Sequence, residues 1–432
     1  MLLATIESLD NEGRGVAHVD GKTIFIEGAL PDEVVEYASY RRKRNFEQAE
    51  TVRVVRASSQ RVTPPCPHYG VCGGCSMQHM NLFAQTAAKQ RVLEDALWHI
   101  GRVRSEQLLP AIRGEGWGYR HRARLSARSV AKKGGTLIGF REKHSSFVAV
   151  MDSCPVLPAR VSALIPVLKN LFGRLSIPER LPQIEVSVGG EQIVLVLRHL
   201  APLTAADEEL LRDFSELHDV VWYLQAKGPD SVTLLHPKGA PPLAYALPDF
   251  GLEMIFRPID FTQINHGVNC MLVRRAMSLL APIAGERIGD LFCGLGNFTL
   301  PIAVSGARVL GIEGSAQLVQ RARENAAHNG LSERCEFAVA NLFEASPESL
   351  MAWGHLDKLL IDPPRDGAMA VINALPAEGG PQRIVYVSCS PATLARDAGL
   401  LVHEKGYALR SVGIASMFPH TSHVESIALF EK

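Results

Sequence analysis

Short runs in which apolar and polar residues alternate dominate the first 57 positions: Thr5-Ile6-Glu7-Ser8-Leu9, Gly15-Val16-Ala17-His18-Val19, Thr23-Ile24-Phe25-Ile26, Val34-Val35-Glu36-Tyr37 and Thr51-Val52-Arg53-Val54-Val55. A period of two, broken by polar turns, predicts five strands and a small β-barrel. Between 58 and 260 the pattern is mixed: Ile184-Glu185-Val186-Ser187-Val188 and Gln192-Ile193-Val194-Leu195-Val196-Leu197 read as strands among helical stretches, an α+β composition. Past Phe261 it changes again, with strands predicted at 287–292, 309–312, 335–339, 358–361 and 384–387. Helices fit at 266–280, 316–329 and 392–405. Regular alternation of this kind predicts a parallel sheet covered by crossover helices. The chain is therefore read as a multi-domain α/β protein of three units, 1–57, 58–260 and 261–432.

Its 432 residues exceed one ordinary core, consistent with several domains. No run approaches the roughly 20 apolar residues of a membrane span, and Met1-Leu2-Leu3-Ala4 leads to Glu7 and Asp10 without a secretory core. A cytoplasmic protein with no membrane and no obligatory protein partner, a monomer, is expected. Eight cysteines in such a compartment point to metal binding or catalysis rather than disulfides. Formal charge balances, but from 101 to 145 eleven Lys or Arg, among them Arg120, Arg122, Arg124, Arg128, Lys132 and Lys133, face only three Glu. A local excess near Trp117 and Tyr119 suits phosphate neutralisation, and Arg41-Arg42-Lys43-Arg44 forms a second knot. Either run alone also reads as a solvated face.

Asp290-Leu291-Phe292-Cys293-Gly294-Leu295-Gly296-Asn297 follows a predicted strand, so its glycines can let backbone approach a ligand. Glu313, at the end of the next strand, is an acid able to accept both hydroxyls of a ribose. Thr299 in the last place of the glycine pattern favours S-adenosylmethionine over a dinucleotide. The third and fourth strands end at Asn341 and Asp362, which gathers polar groups at one sheet edge.

At the end of the fifth strand stands Cys389, in Val387-Ser388-Cys389-Ser390-Pro391. C5 of uracil is a poor nucleophile; a thiolate added at C6 turns it into an enolate carbon that accepts a methyl group. A base must then remove the C5 proton, and Glu425 in His423-Val424-Glu425-Ser426 is a candidate, against the plainer reading of a solvated strand-end charge. No histidine or lysine presents itself as the group that deprotonates Cys389. Separately, Cys66, Cys72 and Cys75 lie in one Pro- and Gly-rich loop, with Cys154 as a fourth thiol. Without a second paired CxxC, the set suits a 4Fe–4S cluster, with zinc as the alternative on spacing.

Together these motifs resemble the RNA uracil-C5 methyltransferases over essentially the whole chain, and specifically the branch acting on 23S ribosomal RNA. The resemblance implies that residues 1–57, with Gly13-Arg14-Gly15-Val16-Ala17 and Ile26-Glu27-Gly28-Ala29-Leu30-Pro31, form a TRAM domain, an OB-like RNA-binding barrel. It implies a central α+β domain whose Cys66, Cys72, Cys75 and Cys154 hold a 4Fe–4S cluster, and a Rossmann-like class I methyltransferase domain at the C-terminus. Gln263 of Phe261-Thr262-Gln263-Ile264-Asn265, with Phe292, Asn297, Glu313, Asn341 and Asp362, matches the family's S-adenosylmethionine contacts, and Cys389 and Glu425 match its nucleophile and base. Pro364 and Ser390 stand where relatives carry Ala and Asn. The transfer RNA branch lacks the barrel and the cysteine cluster. Another ribosomal uridine, or a non-catalytic RNA-binding role, is the competing expectation.

Overall fold

The computed structural model describes residues 2–130, 132 and 135–432, so Lys133 of the basic run lies outside the described residues. Its N-terminal sheet has six strands rather than five, in the order Leu2–Thr5, Val34–Arg42, Phe46–Arg56, Lys22–Glu27, Gly15–Val19, Ser8–Leu9. The run expected as one strand over 5–9 breaks at Ile6 and Glu7, whose amides donate to Glu33 O (2.9 Å) and Val16 O (2.8 Å). One continuous stretch thus pairs with both edges of the sheet and closes it, which removes unpaired strand edges. Alternate side chains, including Ile6, Ile24, Ile26, Val35 and Tyr37, fill the interior. The basic knot spans the tip of the hairpin formed by Val34–Arg42 and Phe46–Arg56.

A second six-stranded sheet runs Val232–His236, Val221–Gln225, Gln192–Arg198, Gln183–Gly189, Arg122–Val130, Gly135–Gly139, and packs with the helices Ala159–Arg174 and Ala205–His218. The third sheet has eight strands: Cys335–Val339, Arg308–Glu313, Arg287–Leu291, Lys358–Ile361, Arg383–Ser388, Glu425–Glu431, Ala408–Ala415, Gln107–Leu108. Its first five strands are parallel, and Glu425–Glu431 inserts antiparallel beside Arg383–Ser388. The first parallel strand lies between the second and the fourth, so the connections diverge there and open a crevice at the carboxyl ends.

Gln107–Leu108 comes from within the stretch expected as the central unit, as does the helix Leu82–Ala96. Leu93 and Leu97 pack with Leu394, Ala395 and Ala398 of the helix Pro391–His403, so 82–108 belongs physically to the third sheet. Gly101 permits this contact, since a Cβ there would fall 2.3 Å from Ala395 O. Among the described residues, no helix is long and apolar enough to cross a membrane.

Candidate active site

Four of the parallel strands deliver their last residues to one edge. After Arg287–Leu291 the chain turns through Phe292 (φ +63°), Gly294 (φ +56°) and Gly296 (φ +98°). A left-handed conformation at Phe292 costs a side-chain-bearing residue about 1–2 kcal/mol, and the turn is held by Cys293 N–H to Ile312 O (3.1 Å) and Gly296 N–H to Cys293 O (2.9 Å). No atom lies within 4 Å of the point a Gly294 Cβ would occupy, so backbone borders open space here. Glu313 is fixed beside it: one carboxylate oxygen accepts from Gly294 N–H (3.2 Å) and the other from Ser315 N–H (2.9 Å). Each oxygen keeps lone-pair capacity for a hydroxyl, as ribose recognition requires. Asn341 is exposed at the end of the neighbouring strand, accepting from Phe343 N–H (3.1 Å), and the Phe343 ring lies 5.7 Å from Phe292.

Asn297 and Gln263 are placed differently. The Asn297 amide exchanges hydrogen bonds with Asn269 (2.9 and 3.0 Å) and accepts from the Tyr245 hydroxyl (2.9 Å), tying the glycine turn to the helix His266–Leu280. Gln263 is half-buried in the segment before that helix, whose first turn Asn265 caps by accepting from Val268 N–H (3.2 Å). Asp290 was not singled out from sequence, although it heads the glycine motif. It is fully buried, accepts from Thr299 Oγ1 on one oxygen and has no hydrogen-bond partner on the other; burial pushes its carboxyl up to about 7.

Cys389 and Glu425 come together through strand register. The ladder ends where Ser388 pairs with Ser426, so Cys389, next after Ser388, and Glu425, next before Ser426, leave it at the same end, near enough for the Glu425 charge to act on the thiol. Glu425 is 3 % exposed, which overturns the plainer expectation of a solvated charge. Burial, and then the neighbouring Asp362, raise its carboxyl well above the usual range. Asp362, directly after Lys358–Ile361, is raised by desolvation to about 7. Desolvation first, then the negative charges of Glu425 and Asp362, push the Cys389 thiol up to about 11, opposed by the Arg365 guanidinium. Arg365 in turn lies 3.3 Å from His423 Nδ1. The group beside Cys389 is thus a pair of carboxyls of raised proton affinity with one cation. Arg365 had a sequence signal in its position after Asp362-Pro363-Pro364, whereas Tyr245 and Asn269 had none. Ser390 caps the helix Pro391–His403, accepting from Thr393 N–H (3.5 Å); Asn is equally suited to that position.

Cys66, Cys72, Cys75 and Cys154 all line one pocket with Tyr69, Arg120 and Phe140. Burial raises the thiols of Cys72, Cys75 and Cys154, the last two to about 11 and about 12. Arg120 Nε is buried there without a hydrogen-bond partner. Among the described residues, no three His, Cys, Asp or Glu side chains are grouped so as to hold a metal ion.

Residues 284–383 match the family model described as a methyltransferase domain, and residues 1–36 the one described as a TRAM domain. The 23S rRNA (uracil(1939)-C(5))-methyltransferase of Aromatoleum aromaticum is 61% identical over 432 residues, covering 100% of both chains. The protein of the same description from Azoarcus sp. is 62% identical with the same coverage. Among solved structures, the Pyrococcus abyssi tRNA (uracil-54, C5)-methyltransferase in complex with S-adenosyl-L-homocysteine superposes with a TM-score of 0.75 at 24% identity, over 99% of this chain and 100% of that one. At that identity the likeness is one of fold.

Proposed function

The chain belongs to the 23S rRNA (uracil(1939)-C(5))-methyltransferase family, and from that premise we infer that it methylates C5 of a uridine in 23S ribosomal RNA, the expected position being 1939. The observation that carries the mechanism is the end of the Ser388–Ser426 ladder, where a buried Glu425 lies close enough to Cys389 for its charge to act on the thiol. Cys389 adds to C6 and converts C5 into an enolate carbon. S-adenosylmethionine supplies the electrophilic methyl group; Glu313 would hold its ribose, with Phe292, Asn341 and Asp362 along the same sheet edge and Gln263 and Asn297 behind it. Glu425 then takes the C5 proton, which allows Cys389 to be expelled. A carboxylate whose proton affinity is raised by burial is a stronger base than an ordinary one, in keeping with that task.

The thiol's own proton must leave against a raised affinity, so the thiolate forms as substrate arrives rather than beforehand. Arg365 is the cation available to stabilise the charge. A uridine in folded RNA has to be unstacked, at about a few kcal/mol, and the TRAM barrel and the exposed members of the basic run, Arg124, Arg128 and Lys132, are the surfaces proposed to offset this, Arg120 and Arg122 being turned inward. We assign RNA binding to 1–57, the cysteine lobe to 58–260 and catalysis to 261–432, with 82–108 a structural part of the last. A monomer acting in the cytoplasm completes the reading.

For the four-thiol pocket we propose a 4Fe–4S cluster. The donor chemistry suits it: four cysteines line one pocket, spread more widely than a single ion would draw them, and the unpartnered Arg120 Nε–H is the kind of donor an anionic cluster would satisfy. When bound, the cluster supplies a rigid tether for the basic lobe; no step of the methylation passes through it.

RNA bearing 5-fluorouridine at the target tests the mechanism. Fluorine cannot be removed as a proton, so a covalent adduct should accumulate in the presence of S-adenosylmethionine. No adduct, or one that persists in Cys389→Ala, would overturn the assignment.

A further inference from the structure

The loop that ends in Glu425 is gripped by segments distant along the chain, residues 76–77 and 116–119 of the cysteine lobe together with the helix Leu82–Ala96 that packs on the third sheet. Between Ala408–Ala415 and Glu425–Glu431 the backbone passes through His420, which is 3 % exposed and left-handed (φ +65°). Such a conformation persists where surroundings over-determine it, and here the residue's N–H, carbonyl and ring Nε2 are all engaged. Its N–H donates to Gln85 Oε1 (2.8 Å). Its carbonyl accepts from the N–H groups of Ser76 and Met77 (2.9 Å each), the two residues directly after Cys75. Ring Nε2 lies 3.0 Å from Gly116 O and is therefore the protonated nitrogen, while Nδ1 lies 3.2 Å from Gln85 Nε2, whose two protons are directed to Met77 O (2.9 Å) and Met80 O (2.8 Å). The ring also stacks on Trp117, centroids 3.8 Å apart.

Adjacent contacts extend the grip. Lys89 Nζ donates to Phe418 O (2.8 Å) and the Tyr119 hydroxyl to Pro419 O (2.9 Å). Thr421 Oγ1 donates to Phe418 O (3.0 Å) and accepts from His423 N–H (3.3 Å), which passes the constraint towards Glu425. The clamping residues lie in 76–89 and 116–119, the segments that flank the thiol pocket on either side, with Cys75 before one and Arg120 after the other.

We propose that His420 is a positioning residue that latches the Glu425 loop to the cysteine lobe, so that removal of the C5 proton, and not the attack of Cys389, depends on the latch. Cys389 sits at the junction of Arg383–Ser388 and Pro391–His403 and uses none of these contacts. The inference rests on Glu425 being the base. A shift of the loop by about 1 Å is enough to slow a proton transfer by about 10²-fold while leaving addition at C6 intact.

The test uses full-length protein, unmodified ribosomal RNA containing the target, and S-adenosylmethionine, with Glu425→Gln, His420→Ala and Gln85→Ala compared. In His420→Ala, kcat should fall about 10- to 100-fold with KM for RNA within about threefold of the parent. A denaturation-resistant adduct should build up on ordinary RNA, as in Glu425→Gln, while 5-fluorouridine adducts form at the parental rate. Hydrogen exchange of the Ser76 and Met77 amides should speed up. Gln85→Ala should move each readout the same way by less, and it carries the test if His420→Ala does not fold. Normal turnover by Glu425→Gln would remove the base assignment and the latch with it. If Glu425→Gln traps the adduct but folded His420→Ala or Gln85→Ala turns over normally, or loses 5-fluorouridine adduct formation in step with turnover, the latch alone is overturned.

Discussion

Two thiol sites in this molecule start from the same physics and stand in different company. At Cys389 and, in the other pocket, at Cys72, Cys75 and Cys154, burial is the first cause that raises the thiols. The neighbours differ. Cys389 has two carboxyls, groups able to exchange protons, and one exposed arginine; the other pocket's four thiols have one another and an unpartnered guanidinium nitrogen. Burial therefore identifies neither site. The company of proton carriers suits a nucleophile that forms transiently, and the company of further thiols suits a bound inorganic centre.

The most severe way to probe that contrast is Cys389→Ala, which should lower methylation by at least about 10⁴-fold while leaving iron content unchanged, measured as methyl transfer to ribosomal RNA and bound iron on the same sample. Next comes Glu425→Gln, expected to cost about 10²- to 10⁴-fold in turnover and to trap the methylated adduct, visible as protein–RNA complex on denaturing gels. Cys154→Ser should act the other way round, with loss of iron and visible absorbance and a melting temperature lower by several degrees, while the folded fraction still forms the 5-fluorouridine adduct. A Cys154→Ser protein with full iron content would remove that residue from the ligand set.

The smallest effect is a pH dependence. Asp362 holds its proton up to about pH 7 in the folded chain, against about 3.9 when unfolded. Unfolding thus releases a proton between about pH 4 and 7, and this group's contribution to stability falls as pH rises through that window. Asp362→Asn should match the parent's melting temperature near pH 4 and exceed it by a few degrees at pH 8. A constant difference across the range would mean that the carboxyl titrates normally in the fold.

Much of this was legible along the chain. The strand and helix alternation past Phe261 maps onto the third sheet, with helix 266–280 coinciding at both ends and 316–329 and 392–405 shifting by no more than two residues. The TRAM barrel was legible as alternating runs, but its first strand was misread as one piece. A backbone that serves two sheet edges looks, residue by residue, like a single strand. The short strand Gln107–Leu108 carries too few residues for any period, and its place at the edge of the third sheet is set by Ser411 and Val412, far along the chain. Asn297 shows the same limit. Its motif position says nothing of Tyr245 and Asn269, the residues that hold its amide.

By itself, then, the order of residues determined the candidate donor side of the site, because Gly294, Glu313, Asn341 and Asp362 each stand at or within three residues past the end of a strand and parallel strands bring their ends to one edge. It also named both reactive candidates, Cys389 and Glu425, through local motifs and the family they resemble. Only the tertiary structure decided what surrounds them. The raised proton affinities of Cys389, Glu425 and Asp362, and the grip of Gln85, Ser76 and Met77 on His420, arise from desolvation and contacts between segments up to hundreds of residues apart. No local pattern encodes these, since each depends on the low-dielectric interior that forms when the segments pack.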